Sequence, residues 1–519
     1  MECRRLKTEL KNIMAGSYLQ ILTIYIILSI LVSFGIIYFR IINFGILALI
    51  TGIAGICYIK EKHNLHLPAV ILVVPAVYLL LTRLITYLSS PVPPGYDPGI
   101  YRFIFNIYFS ALPQLPVQQE SWIAAGYPPG LFILADLLHL FGISSDFLIF
   151  QGYLMLQFIM IAAIYAVAKQ HYGKEAGIIA ALLFSVSVPQ FTAFWHMYYK
   201  NLLAMPLFLI ALYLYEARRY APFALVAGFV GGVHRPTFLL LLLAVSAHAA
   251  ISGRVKKRLA YLLAGVAIAL GYYAGTYREA ILPLLQPLVE ARIGPGTFFG
   301  ATAYEMFAIG YLPFGILGIL MALLRKKISV ITLWVLANAV IVYLKLAFYN
   351  RLIIQLDAGI LIFASAGFLY LLRTSRRTGA LVLLLLSISS GWMVLSRAIS
   401  TEPLLSQDEF AAVLALRNTE ENAMVMSTTS HYSPWLLGYS GRRVIAPGLF
   451  GEDRWSVEDW RRFWSTKNST RAAEMLRIYR KPLYIYTGPH TPGTLNKFKG
   501  ECFEVFYRNE ASVIYRFVC

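Results

Sequence analysis

Asp97 sits in the run Gly95-Tyr96-Asp97-Pro98-Gly99, just after an apolar stretch long enough to cross a membrane. The glycines and the proline set a rigid turn at that point. A carboxylate held this way at a bilayer surface can take the proton of a hydroxyl arriving from the aqueous side while its reaction partner lies in the lipid. The competing reading is an aspartate that caps its own turn. Cations stand at other membrane ends: Lys200 in Phe-Trp-His-Met-Tyr-Tyr-Lys-Asn, His234 and Arg235 in Gly-Gly-Val-His-Arg-Pro-Thr, and Arg351 in Phe-Tyr-Asn-Arg-Leu. The planar fork of arginine suits a phosphate oxyanion. Lys345, Arg351 and Asp357 are near enough in sequence to form an intramembrane charge network, with a structural or a functional role.

Three further residues are candidates for substrate contact. Glu120, between a run of glutamines and Trp122, offers a second acid, a metal ligand or an acceptor for sugar hydroxyls, although plain solvation in a polar loop accounts for it as well. Tyr127, with Pro128 and Pro129, shapes a loop or touches a substrate. His196 lies among Trp195, Tyr198 and Tyr199, whose faces either stack on sugar rings or form an interfacial belt. His63, His66 and His171 fall in loops on the other side. Neither a zinc-protease signature nor a nucleotide-binding glycine loop occurs, so nucleotide-driven transport is disfavoured.

The elements that position these residues follow from composition. Of 519 residues, 58% are apolar and 14% charged, which excludes an ordinary water-soluble enzyme. Thirteen segments have the apolar length a membrane helix needs: approximately 17–39, 41–59, 67–88, 147–168, 176–195, 201–217, 221–233, 236–252, 259–278, 304–324, 328–348, 353–372 and 379–398. The first reads as a retained segment, since no small-residue cleavage site follows it. Residues 89–146 form a large outer loop, too polar and proline-rich to span. Its stretch Pro129 to Gly142 predicts a helix lying in the interface, with Leu131, Leu134, Leu138 and Phe141 on one face.

The formal charge of +19 would suggest a polyanion partner in a soluble protein. Here twenty of the 45 Lys and Arg fall in alternate short loops, among them Arg218-Arg219, Arg254 to Arg258, Arg325 to Lys327 and Arg373 to Arg377. That pattern is the positive-inside signature. It places the N-terminus in the cytoplasm of a multi-pass plasma-membrane protein and excludes a nucleic-acid surface as the reason for the charge. Residues 400–519 then lie outside. They change composition abruptly and read as a small α/β domain, with a capping box from Ser406 to Glu409, strands at AMVMS and PLYIY, and helix over 456–480. Cys502 and Cys519 flank a strand-turn-strand pattern that would bring them together, as a disulfide or as two small apolar residues in a sheet. Asn468-Ser-Thr is a glycosylation sequon. The expected fold is thus an all-α polytopic membrane domain, residues 1–399, followed by the extracytoplasmic α/β domain, 400–519.

Several motifs, in order, resemble the GT-C superfamily of polytopic glycosyltransferases, particularly its dolichyl-phosphate-mannose and aminoarabinose transferase-like branch. They are Gly95-Tyr-Asp-Pro in the first large outer loop, Tyr127-Pro-Pro-Gly-Leu-Phe, Val188-Pro-Gln-Phe at the outer end of the fifth crossing, His234-Arg-Pro-Thr, and Asn350-Arg-Leu. The resemblance implies inverting transfer from a polyprenyl- or dolichyl-phosphate sugar to a glycan, lipid or protein acceptor on the extracytoplasmic face. Asp97 would be the general base, and Arg351, Arg235 and Lys200 the phosphate-binding positions. Glu120, Tyr127, His196 and His234 would contact substrate. The tail is similar to the outer domains of oligosaccharyltransferase-like relatives, but their Trp-Trp-Asp-Tyr-Gly motif is replaced by Thr428-Thr-Ser-His-Tyr-Ser-Pro-Trp435, which argues against oligosaccharide transfer to sequons. The relatives' paired acids are reduced to Asp97 beside Pro98, so no cofactor is implied with certainty and a divalent metal stays an open alternative. The runner-up function is a transporter or flippase of a lipid-linked or polar solute, using Lys345, Arg351 and Asp357; an inactive scaffold comes third.

Overall fold

The structure is a computed structural model that describes residues 68–88, 90–111, 127–252, 255–274, 298–325, 328–346, 348–447 and 452–519. The first two expected crossings, Glu120 and most of the segment around it lie outside the described residues. In chain order the first helices are α1 (Val73–Leu88), α2 (Pro98–Ala111), α3 (Gly130–His139), α4 (Tyr153–Tyr172), α5 (Lys174–Ser185), α6 (Val188–Trp195) and α7 (Tyr199–Glu216). Then come α8 (Tyr220–Val233), α9 (Arg235–Ile251), α10 (Val255–Tyr272), α11 (Ala301–Ala308), α12 (Leu312–Leu324), α13 (Val330–Tyr343), α14 (Tyr349–Thr374) and α15 (Arg376–Ser400).

Four stretches among the described residues are long and apolar enough to cross a membrane: Val70–Tyr87, Ser145–Tyr172, Tyr349–Thr374 and Arg376–Ser400. Two bent pairs, α5 with α6 at 53° and α11 with α12 at 92°, raise that number to six. Among the described residues, length and apolarity thus support four to six of the expected crossings. The physical reason is that α8, α9 and α13 are short, and that two expected crossings are broken. Val188-Pro-Gln-Phe, expected to close a crossing, opens α6 after such a break. Ser187 caps α6 by accepting from the Gln190 amide, and Pro189 occupies a first-turn position where its missing N–H costs nothing.

The long α14 is the axis of the bundle, buried from Leu352 through Leu372. Because lipid tails are as apolar as leucine, helix pairs in a membrane gain by close approach of small residues. A side chain at Gly318 of α12 would fall 2.1 Å from the Phe363 carbonyl of α14, and one at Gly367 would fall 2.2 Å from the Phe314 carbonyl. Asp357, also on α14 and wholly buried, ties down both breaks. It accepts from Ser187 (2.8 Å) and Gln190 (2.9 Å) at the first bend and from Tyr311 (2.5 Å) at the second. The expected network of Asp357 with Lys345 and Arg351 does not form; neutral donors satisfy this carboxylate instead.

Residues 89–146 contain a helix that sequence did not foresee, α2, and the foreseen α3. The expected apolar face of α3 divides: Leu131 is buried, whereas Leu138 and Phe141 are exposed. Gly130 brings α3 against the backbone of Gly232 in α8.

The small C-terminal sheet domain contains α16 (Gln407–Ala415), β1 (Met424–Ser427), α17 (Ser433–Tyr439), β2 (Arg443–Ile445), α18 (Val457–Ser465), α19 (Ser469–Leu476), β3 (Leu483–Thr487), β4 (Phe503–Arg508) and β5 (Val513–Phe517). The sheet order is β2-β1-β3-β5-β4, with β1 parallel to β2 and β3, and β5 antiparallel to β3 and β4. Strands β1 and β3 are the AMVMS and PLYIY segments, buried along their length as a central pair requires. The Ser406 hydroxyl accepts from the Glu409 amide while the Glu409 carboxylate accepts from the Ser406 amide (2.8 Å), a complete capping box. The helix expected over 456–480 is two, because Asn468 turns the chain and caps α19 with its side chain. Cys502 and Cys519 are joined by a disulfide.

Candidate active site

The Asp97 loop is pinned by close backbone approaches on both sides. Gly95 has a φ of +84°, and a side chain there would fall 2.8 Å from the His196 backbone. Gly99, two residues past Asp97, packs against α17: a side chain on it would lie 1.9 Å from the Pro434 carbonyl, and one on Gly438 would lie 2.2 Å from the Gly99 carbonyl. Around this contact Tyr96 donates to the Ser430 carbonyl (2.7 Å). Arg102 donates to the Gly438 carbonyl (2.7 Å), pairs with Asp146 (2.7 Å) and lies over the Tyr439 ring. The loop is thus held between the helical bundle and the sheet domain.

Asp97 is the residue from which α2 starts, its carbonyl accepting the Tyr101 amide (3.0 Å). Among the described residues its side chain makes no hydrogen bond to its own turn. The carboxylate is instead under the influence of Lys200 and Arg351. Burial raises its pKa above the ordinary carboxylate value, and the two cations oppose that rise.

Residues far apart in sequence converge here. Lys200 opens α7, His234 joins α8 to α9, Arg235 opens α9 and Arg351 lies in the first turn of α14. All four interact electrostatically with one another through Lys200 or His234, and Lys200 does so with Asp97 as well. Aromatic faces hold the cations: Lys200 Nζ is 3.6 Å from the Tyr127 ring centre, and the Arg351 guanidinium is 5.2 Å from that of Tyr198. The His196 ring stacks on Tyr198. His234 Nδ1 lies 2.7 Å from the Thr237 hydroxyl, which also accepts from Gln355 (2.9 Å), so this imidazole is oriented from below. Lys200, Arg351 and Tyr127 therefore gather around Asp97, and His234 and Arg235 stand on the far side of Lys200. His196 belongs to the aromatic wall and to the support of Gly95.

Neither a known protein family nor a curated protein matches this sequence. Solved structures do match the fold. The Archaeoglobus fulgidus oligosaccharyltransferase in the apo form aligns with a TM-score of 0.57 at 15% identity, over 80% of this chain and 69% of that one. ArnT from Cupriavidus metallidurans aligns in the apo state with a TM-score of 0.55 at 13% identity, over 85% of this chain and 97% of that one. The same protein bound to undecaprenyl phosphate aligns with a TM-score of 0.55 at 12% identity, over 87% and 99%. The chain has the GT-C fold.

Within this fold the Asp97 loop, the sheet domain and the ends of α7, α9 and α14 meet at one place. Sequence reasoning missed Tyr101 and Arg83, whereas Tyr198 was among the aromatic faces it named. Tyr101 of α2 packs between Tyr127 and Tyr199, and its only signal was its position four residues beyond Asp97. Arg83 of α1 is fully buried, with its guanidinium over the rings of Phe191 and Phe194; nothing in its apolar run announces those partners. A divalent metal does not fit the described cluster. No three His, Cys, Asp or Glu side chains gather among the described residues, and the neighbours of Asp97 are cations that repel another.

Proposed function

We propose that this chain is a membrane glycosyltransferase that moves a sugar from a polyprenyl- or dolichyl-phosphate donor to an acceptor hydroxyl on a glycan, lipid or protein. The observation that carries the reading is the convergence of one half-buried carboxylate with the cations Lys200 and Arg351, and of Arg235 with Lys200. Binding of undecaprenyl phosphate by ArnT, which shares the fold, supports a lipid-phosphate donor.

In this mechanism Asp97 takes the proton of the acceptor hydroxyl as its oxygen attacks the anomeric carbon. The bond from that carbon to the phosphate oxygen breaks with inversion, and the lipid phosphate departs with the electron pair. Three cations against one carboxylate leave an excess of positive charge, which matches the about −1.5 to −2 that a phosphate monoester carries near neutrality. A leaving group so stabilised needs no proton. The rigid Gly95 to Gly99 loop keeps the base in place, and Tyr127, Tyr198 and His196 supply faces for a sugar ring.

The reading includes a membrane domain over 1–399 with up to thirteen crossings, an extracytoplasmic domain over 400–519, a cytoplasmic N-terminus and a catalytic face outside the plasma membrane. The alternation of basic loops supports that orientation. Reconstituted protein supplied with a radiolabelled polyprenyl-phosphate sugar and acceptor extracts should transfer label, and an Asp97→Asn protein should not. Unchanged transfer by that variant removes Asp97 as the base; solute flux without transfer favours a transporter.

A further inference from the structure

The helices that carry Lys200 and Arg351 at one end border a second polar cavity at the other. Its volume is about 370 Å³, within the roughly 300–1,000 Å³ of ligand sites. Its walls come from the far ends of α4, α7, α9, α12 and α14, and the residues that matter chemically are His171, Glu216, His248, Arg325, Tyr370 and Arg373. Lys200 and Glu216 are about 24 Å apart along α7, and Arg351 and Arg373 about 33 Å apart along α14, at the helical rise per residue. The cavity therefore lies across the bundle from Asp97 and is no part of that site.

The lining is built for an anion. The one carboxylate, Glu216, already accepts the Val330 amide (3.0 Å) at the start of α13, where a helix N-terminus favours its charge. His248 Nδ1 lies 3.1 Å from the Tyr215 hydroxyl and 3.4 Å from Arg258. Arginine can only donate, so Nδ1 accepts and the proton of the neutral ring sits on Nε2. His171 Nε2 is buried without a hydrogen-bond partner. Such a buried polar atom costs stability unless something completes it. The Arg325 guanidinium lies over the Tyr370 ring at 4.7 Å, which orients its fork. Next to it Leu323, Leu324 and Ile328 are exposed, an apolar margin beside a cationic pocket.

We propose that this cavity is a second binding site, for a phosphate-bearing anion, on the face of the bundle opposite the Asp97 cluster. Two guanidinium forks and two imidazole nitrogens meet the phosphate oxygens, and the ligand is a phospholipid headgroup or a soluble phosphate. Basic pockets between helix ends at a membrane face hold lipid headgroups in this way.

The test uses full-length protein with Arg351→Gln, which weakens the outer cluster as a competing anion site. Thermal unfolding is followed in phosphatidylcholine nanodiscs with inorganic phosphate titrated in, and in nanodiscs that also contain phosphatidic acid. A ligand of the folded state raises Tm. We expect at least one probe to do so: phosphatidic acid alone identifies a headgroup site, whereas a rise with inorganic phosphate shows that free phosphate suffices. Adding Arg325→Gln or Arg373→Gln should weaken the response about tenfold each. Arg373→Lys, which keeps the charge and loses the fork, should give an intermediate response and serves if the glutamine variant does not fold. The proposal is overturned if neither probe acts, if the response is indifferent to Arg325 and Arg373, or if wild-type protein responds and Arg351→Gln alone abolishes it. Because binding is read and not transfer, failure here is distinct from failure of the glycosyltransferase reading.

Discussion

Asp97 and Asp357 are both aspartates beside membrane helices, yet their surroundings assign them opposite work. Asp357 is saturated: a serine, a glutamine and a tyrosine donate to it, and each comes from a place where a helix is broken. Asp97 has no such donors in its own turn and faces cations on other elements. A carboxylate whose hydrogen-bond capacity is filled by neutral donors holds structure together. One shielded from water and short of donors has its pKa raised even against the cations beside it, and so keeps basicity that a reaction can use.

Substitutions should separate the two. The largest effect belongs to Asp97→Asn, which preserves size and removes the base: transfer should fall about a thousandfold with an unchanged melting temperature. A loss that tracks unfolding would mean Asp97 is structural like Asp357. Arg351→Gln should cost about a hundredfold in kcat, since a phosphate-binding cation acts mainly as the leaving group departs. An effect on KM alone would restrict it to substrate capture. Asp357→Ala strands three buried donors and should destabilise the protein by about 3 kcal/mol in reversible unfolding, while transfer per folded molecule stays near wild type. Gly438→Ala forces the α2–α17 contact apart at a cost of about 1–3 kcal/mol, read as earlier proteolysis between the bundle and the sheet domain. The smallest effect is a change in the pH profile. The base works only when deprotonated, so activity is lost as pH falls through the raised pKa of Asp97, above the usual carboxylate range. Lys200 pulls that pKa down. Lys200→Met should therefore move the acidic limb of kcat/KM to higher pH, and a limb that stays put removes Lys200 from the neighbourhood of the base.

Much of the site was legible because membrane chemistry makes charges scarce and therefore informative. Asp97, Lys200, His234, Arg235 and Arg351 each stood out as polar residues at the ends of apolar segments. Their convergence was not legible, because it depends on how five elements pack. The chain-local features of the sheet domain, such as the Ser406 capping box and the alternation in β4 and β5, read directly from sequence. The bends were passed over: apolar sequence continues through Ser187 and Tyr311, and although Ser187 with Pro189 and Pro313 are local helix-start signals, the tie of both breaks to Asp357 is tertiary. Arg325, Arg373 and His171 were seen as parts of connecting loops because sequence carries no sign that three distant helix ends enclose one cavity.

The contact between Gly99 and Gly438 is main chain on main chain. Its geometry depends on two residues having no side chain and on the few side chains around them, Tyr96, Arg102 and Tyr439, so much of the rest of the sheet domain's surface has no part in holding the loop. Substitution elsewhere on such a surface leaves that contact untouched, and the architecture itself persists at 12–15% identity.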